Sequence, residues 1–452
     1  PSNKALSWCM SLLQLKRGLP ALSDKLKDAA RKSHMETLTT PGVTSTVLLA
    51  QLERTANELF PPGWDRNGAA HPSWSVTNKS CLESSRKDGG AQGYLFKSLD
   101  IQDFTLPDRL FGTDVEWALP QARETCSPEE YIEIATRTQP EVLKSKVEIV
   151  EDPLKARVIT KNNWQCTALK PLQKMIHSHL RQKAPFRLIG ESISEEIIGA
   201  IDQFPGSAYV SGDYSAATDN LHSDATEVVL ETILQNMRGF LFRNPEYMHL
   251  AKRSLTYLII LSEIDGKPVE FKMVRGQLMG SLLSFPILCV INFAVWRHSA
   301  EMAYGVAHDG NGRGGRSDHV LINGDDIGFS ATLRHYRLWW SLTPGVGLSP
   351  SLGKNYYTKH FITLNTRLYR WSEKVAGLVE VPFVNLGLLK KADKEDNLAL
   401  KIETLGRLHD DFVRGCRQKS SGSLIFVNSN IPLLKQTWRN LFGPRERGGL
   451  GA

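Results

Sequence analysis

His319-Val320-Leu321-Ile322-Asn323-Gly324-Asp325-Asp326-Ile327-Gly328-Phe329 is the stretch on which the reading of this chain turns. Two short apolar runs flank an Asn-Gly step, a strong hairpin signal. The tip carries two adjacent carboxylates, Asp325 and Asp326. Side by side at a tight turn they repel each other, and burying them without a cation is costly. A divalent ion removes that cost, and Mg²⁺ in particular takes carboxylate oxygens, water and substrate phosphates. A solvated turn is the plain alternative, so the choice depends on what else the chain brings.

Working outward, residues 208–215 read as a strand. Asp213 lies near its end and Asp219 at the start of the following helix. Asp224-x-x-Glu227 has the form of a capping box, and Ala225, Val228, Val229 and Ile233 continue at helical spacing. Asp213 together with the Asp325/Asp326 tip could hold two metals, the arrangement that serves the attacking and leaving oxygens in phosphoryl transfer. Between the acidic sites lies Arg275-Gly276-Gln277-Leu278-Met279-Gly280-Ser281, ahead of a helix expected over residues 281–300. Its glycines allow close backbone approach to a ligand, or serve a plain turn. Upstream, Lys155, Arg157 and Lys161 share one face of an extended segment, with Val158 and Thr160 on the other. Such a face suits a triphosphate, or guards an edge strand. Strand–helix, helix, then hairpin describes an α+β core rather than alternating βαβ units.

The 452 residues include 41% hydrophobic and 23% charged, which excludes a disordered or collagen-like chain. A net charge of +7 permits a polyanionic partner without requiring one. Six cysteines without a CxxC pair argue against a zinc ribbon or disulfide scaffold. The most apolar run, residues 281–296, is too short to span a membrane. Residues 1–60 read as helical and 63–95 as loop or extended surface. Gly310-x-Gly312-x-x-Gly315 satisfies a dinucleotide pattern literally but precedes a strand, so a flexible loop is expected.

The order of these pieces resembles the palm of viral RNA-dependent RNA polymerases. Lys155 to Lys161 looks like motif F, Asp213 to Asp219 motif A, Gly276 to Asn292 motif B and Gly324 to Asp326 motif C. Residues 348–354 look like motif D, and 361–370 fall where motif E would be. Gly212-Asp-Tyr-Ser-Ala-Ala-Thr-Asp219, Gly276-Gln-Leu-Met-Gly-Ser-Leu-Leu-Ser-Phe-Pro286 and Asn323-Gly-Asp-Asp326 are similar to the ourmia-like and narna-like viruses of fungi and plants. Phe60-Pro-Pro-Gly-Trp-Asp65, with Ser80-Cys-Leu-Glu83 and Gly89-Gly90, resembles the ourmia-like branch in particular.

The resemblance implies a right-hand polymerase of fingers, palm and thumb, with an RNA-recognition-like antiparallel palm sheet. Expected divisions are a helical region over 1–60, fingers over 61–200 and palm over 201–237. A fingers insertion over 238–274, palm over 275–371 and thumb over 372–452 follow. The thumb is expected to be truncated, since Gly448-Gly449-Leu450-Gly451 resembles a motif that continues further. Asp213 and Asp325 would bind the catalytic Mg²⁺, or Mn²⁺ in its place, with Asp326 assisting. Asp219 would sense the ribose 2′-hydroxyl, and small residues before it (Ala216, Ala217, Thr218) argue against a reverse transcriptase, which would carry a bulky aromatic gate. Lys155, Arg157 and Lys161 would hold the incoming ribonucleoside triphosphate, and Lys354 would protonate the departing pyrophosphate. Gly276, Gln277, Ser281, Ser284 and Asn292 are candidates for substrate and template contacts. Many relatives carry an Asn where this chain has Leu288, and Asn292 lies one turn further on. Template and product RNA are the implied partners, with no obligate protein partner evident. Host cytoplasm is the implied location and the mitochondrion its alternative. A reverse transcriptase and a catalytically silent RNA-binding homologue stay open as rivals.

Overall fold

The computed structural model describes residues 2–14, 22–66, 77–98, 128–152, 155–191, 193–201, 203–239, 244–308, 320–389 and 398–435. Cys126, the Gly310–Gly315 stretch, His319 and the terminal glycines 448–451 lie outside them. Within the described residues the strands are β1 (Lys144–Asp152), β2 (Lys155–Asn162), β3 (Ser207–Gly212), β4 (Ile259–Ile264), β5 (Lys267–Lys272), β6 (Val320–Asn323) and β7 (Asp326–Thr332). Four more follow: β8 (Tyr356–Thr358), β9 (Phe361–Leu364), β10 (Arg367–Ser372) and β11 (Gly377–Glu380).

The central sheet runs β6-β7-β3-β8 and is antiparallel throughout. β3 is buried at every position, which explains its short, apolar or hydroxyl side chains. It ends at Gly212, so Asp213 is the first residue past the strand, not inside one reaching Ser215. The hairpin forms, shifted from the Asn-Gly step. Asn323 pairs with Asp326, so Gly324 and Asp325 make the turn. Gly324 takes φ +71° and Asp325 has no positive φ, the Gly-first form of a two-residue hairpin. The two carboxylates therefore part company: Asp325 occupies the turn and Asp326 opens β7.

A second sheet, β2-β1-β4-β5, unites the basic strand with the expected insertion between motifs A and B. β1 and β2 form an antiparallel hairpin, and β4 joins β1 in parallel. The third sheet, β11-β10-β9, extends to Glu380. A thumb beginning at residue 372 would cut this sheet between paired strands. The helical unit starts later, around a separate cluster of Leu388, Leu405, Leu408, Phe412, Phe426 and Leu433.

The long apolar helix runs Ser284–Tyr304, later than expected, and ends at Gly305 in the left-handed region. Ser281 stands in the turn before it. The N-terminal helices are integral to the fold. Leu48, Leu52, Ala56 and Leu59 of the Thr46–Leu59 helix share one core with Val210, Ile287 and Ile327. Arg54 forks onto both oxygens of Glu301 (2.9 and 3.0 Å), tying that helix to the end of the long one.

Three local readings are corrected. The 63–95 segment is not all loop, since a helix begins at Gly90 (Gly90–Ser98). The capping box does not form. Asp224 instead accepts from the backbone N–H and hydroxyl of Thr44 (2.8 and 2.7 Å), while Glu227 accepts from Thr256. The helix that follows (Ser223–Gln235) starts at His222 without a side-chain cap. The ourmia-like block, for its part, anchors backbone. Asp65 accepts the N–H groups of Arg238 and Gly239 (2.8 and 2.7 Å), and Glu83 that of Trp164 (2.9 Å). Five cysteines among the described residues are free, and no described helix is long and apolar enough to cross a membrane.

Candidate active site

β3 and β7 are hydrogen-bonded neighbours, with Gly212 opposite Ile327. That register sets Asp213, just past β3, beside Asp326 at the start of β7 and Asp325 in the turn. Surrounding protein, first, and the charge of Asp213 raise the Asp325 carboxyl above its ordinary range. Asp326 is pushed up to about 6, by burial first and then by the charges of Asp325 and Asp213. Asp325 feels the charge of Asp213, and Asp326 the charges of both, so the three carboxylates share one region. Among the described residues no group of three or more acid, imidazole or thiol side chains is placed to hold a metal ion. One or two carboxylates nonetheless suit Mg²⁺, which keeps waters and takes substrate phosphates as further ligands.

The backbone of Asp213 is held by the loop before β8. Asn355 accepts its N–H (3.0 Å) and donates to its carbonyl (2.9 Å), and the Ser351 N–H donates to the same carbonyl (2.8 Å). From this loop Lys354 Nζ donates to Asp213 Oδ2 at 2.7 Å, although the lysine side chain is 63% exposed. Asn355 carried no signal in the sequence beyond following that lysine. Its role becomes visible once the loop and motif A are seen clasped together.

The basic strand faces this region. Lys155 and Arg157 are exposed. The charge of Lys155 works against the raised proton affinity of Asp219, and that of Arg157 against Asp325. Lys161 is engaged elsewhere: its Nζ donates to Glu148 at 3.0 Å. Asp219 sits in the short Ala217–Asn220 helix, where burial pushes its carboxyl up to about 6. Ala216, just before it, holds φ 44°, a strained conformation for a residue with a Cβ.

Four of the motif B candidates, Gln277, Ser281, Ser284 and Asn292, are buried. Gln277 is fully buried; it donates to Thr226 Oγ1 (2.9 Å) and accepts from Ser284 Oγ (3.1 Å). Ser281 donates to the Ser254 carbonyl and accepts from Asn162 (3.0 and 2.9 Å). Asn292, also fully buried, accepts from the Tyr214 hydroxyl (2.7 Å) and donates to the Gly324 carbonyl (3.0 Å). It bridges the residue after Asp213 to the residue before Asp325. One turn earlier on the same helix face, Cys289 Sγ accepts the Gly324 N–H (3.2 Å). Both backbone groups of Gly324 are thus held from the long helix, and neither Cys289 nor Tyr214 stood out in the sequence. The motif B glycines make their close approaches to protein backbone. A Cβ on Gly276 would fall 2.8 Å from the Asp219 carbonyl, and one on Gly280 would fall 2.2 Å from that of Thr160. In this structure Gln277, Ser281, Ser284 and Asn292 are bonded to protein and brace neighbouring segments against one another.

An antiparallel sheet bearing acids at one strand end and one hairpin tip, beside a basic-faced sheet and a C-terminal helical cluster, is a right-hand polymerase fold. Two crystal structures of the RNA-dependent RNA polymerase of a human picobirnavirus, one an insertion-loop deletion mutant, share it. They match with TM-scores of 0.60 and 0.56, cover 96% of this chain and 81% and 85% of theirs, and are each 12% identical. In sequence, the chain is similar to one viral RNA polymerase. The RNA-dependent RNA polymerase of Ourmia melon virus is 28% identical over 477 residues, which cover 98% of this chain. The chain spans about half the length of that relative, 50% of it. No family model matches the chain.

Proposed function

We propose that this chain is an RNA-directed RNA polymerase that copies a viral positive-strand genome, joining an RNA 3′-hydroxyl to the α-phosphate of a ribonucleoside triphosphate. The observation that carries the reading is the meeting of Asp213 with Asp325 and Asp326, opposite the cationic side chains of β2. Mg²⁺, when bound, supplies charge neutralisation at the attacking and leaving oxygens. Asp213 and Asp325 are the residues to hold it, with Asp326 assisting.

The chain's own side chains do the rest by positioning and electrostatics. Lys155 and Arg157 orient the triphosphate, and Lys161 joins them by leaving Glu148. Lys354 carries its proton at Nζ beside Asp213 and gives it to the departing pyrophosphate. Asp219 accepts a hydrogen bond from the ribose 2′-hydroxyl. A site built around such a bond strongly rejects a substrate that lacks it. The Asn292 and Cys289 contacts keep the acids of the two strands in register. RNA template and product lie in a basic channel, so binding weakens with salt. The host cytoplasm is the proposed site of action, on the viral relationship.

Primer extension tests this. Full-length protein, a primed RNA template, Mg²⁺ and either rNTPs or dNTPs are compared with Asp325→Ala. Extension by rNTPs, lost in the variant, is the expected result. Extension with dNTPs alone would replace the reading with a reverse transcriptase. Binding of RNA without any extension would replace it with a silent homologue.

A further inference from the structure

Asp219 has a neighbour from a part of the chain to which the sequence assigned no chemistry. His34 lies on the Asp24–Thr39 helix, 5% exposed, with Nε2 3.9 Å from Asp219 Oδ1. That helix is built into the site on two sides. The Leu38 carbonyl accepts the N–H groups of Val274 and Arg275 (2.8 and 3.3 Å), just before the motif B loop. Lys27 pairs with Glu151 of β1 (2.9 Å), and Lys32 with Asp265 in the β4–β5 turn (2.8 Å). The helix is therefore fixed to both the fingers sheet and the entrance to motif B, and His34 is presented to Asp219 from a rigid support.

The polar motif B side chains, read from the sequence as candidate substrate and template contacts, bond to groups other than Asp219. Gln277 and Ser284 bond each other, and Asn292 bonds Tyr214 and Gly324. The bond Asp219 receives from Thr218 Oγ1, at 3.3 Å, is long for a hydroxyl donor.

We infer that His34 is a positioning residue for sugar specificity, which ties one oxygen of Asp219 and leaves the other to the ribose 2′-hydroxyl. The inference rests on the polymerase reading above. Burial lowers the His34 imidazole to about 4, so at neutral pH it is uncharged and has one N–H to give. Closing the gap by about 1 Å brings that N–H into hydrogen-bond range of Oδ1. A carboxylate anchored at one oxygen cannot rotate away from the sugar. Because the imidazole is neutral, it does so without pairing off the charge that the 2′-hydroxyl is meant to meet.

The test is a steady-state comparison of kcat and KM for a matched rNTP and dNTP. It uses the full chain as wild type, His34→Leu and His34→Gln, with the Tm of each. His34→Leu is expected to lower kcat/KM for the rNTP about tenfold while the dNTP value stays within about twofold, so discrimination falls about tenfold. His34→Gln, which keeps an N–H at similar reach, is expected to restore most of it. If His34→Leu does not fold, His34→Asn replaces it, being polar but too short to reach Asp219. An unchanged rNTP/dNTP ratio overturns the inference. So does an equal fall for both nucleotides that tracks Tm, or a Gln variant no better than Leu. Failure of the polymerase reading itself shows separately, as a wild-type chain that incorporates no ribonucleotide, and it takes the inference with it.

Discussion

The hairpin tip and the start of the long helix are both polar ground in an apolar neighbourhood, and they are polar for opposite reasons. At the tip, Asp213, Asp325 and Asp326 raise one another's energy, with partial relief from Lys354 and Arg157. At the helix, Gln277, Ser281, Ser284 and Asn292 are buried and hydrogen-bonded to protein. One region carries an electrostatic strain that a bound cation relieves. The other uses satisfied polar groups to fix where backbones lie. Removing a polar group should therefore relax the first region and loosen the second.

The largest effect expected is on Asp325. Asp325→Asn should lower single-turnover extension at least about a thousandfold, or about 4 kcal/mol of transition-state stabilisation. Without Mg²⁺, its Tm should equal or exceed that of the wild type, because a repelling charge is gone. A Tm lower by several degrees would mean that the tip is held together by its charges, and the contrast would collapse.

Asn292→Leu should do the reverse. It leaves the Tyr214 hydroxyl and the Gly324 carbonyl buried without partners, at a cost of about 2–4 kcal/mol in denaturant unfolding. Tyr214→Phe removes one donor and should cost about 1 kcal/mol. If Asn292→Leu kept full stability and lost nucleotide discrimination instead, Asn292 would belong with the substrate contacts after all.

This contrast also marks how far the sequence could be read. The acids, the basic strand and the hairpin were legible because charge clustering and turn chemistry are local signals, and local signals survive in a linear text. The four turn residues, Asn323 to Asp326, were legible, but not which two stand at the centre, since Asn-Gly and Gly-Asp both suit a two-residue hairpin. Only pairing Asn323 with Asp326 separates them. Motif B was found, but the protein partners of its side chains were not legible. A serine aimed at a ligand and one bonded to a carbonyl 27 residues away, as Ser281 is to Ser254, read alike. His34, Cys289, Tyr214 and Asn355 were invisible because each matters through a partner distant in sequence. His34 and Asp219 stand 185 positions apart, yet the helix–loop contacts at Leu38 bring them together. The strand Gly377–Glu380 was illegible for a related reason: a hairpin's second strand looks like any short polar-apolar stretch until β10 pairs with it.

The smallest effect, and the finest test of strain at the tip, is its pH dependence. Asp326 has its folded pKa raised to about 6, above the unfolded carboxyl value of about 3.9. Between those values the folded state holds more protons than the unfolded one, so this group's contribution is complete at low pH and lost as pH rises through about 6. The whole-protein curve will not display it. Buried histidines such as His34 and His335, lowered to about 4 and about 3, contribute stability that grows with pH over the same window. The readout is therefore the difference between Asp326→Asn and wild type, measured by denaturant unfolding without metal from pH 4.5 to 7.5. The variant should gain on the wild type as pH rises, by on the order of 1 kcal/mol after allowing for water at the cleft mouth. Mg²⁺ should narrow that gap above pH 6 and leave it unchanged below pH 5, because a cation stabilises carboxylates and not carboxylic acids. A gap that is flat with pH would mean that Asp326 is ordinarily solvated. The strain would then lie between Asp213 and Asp325 alone.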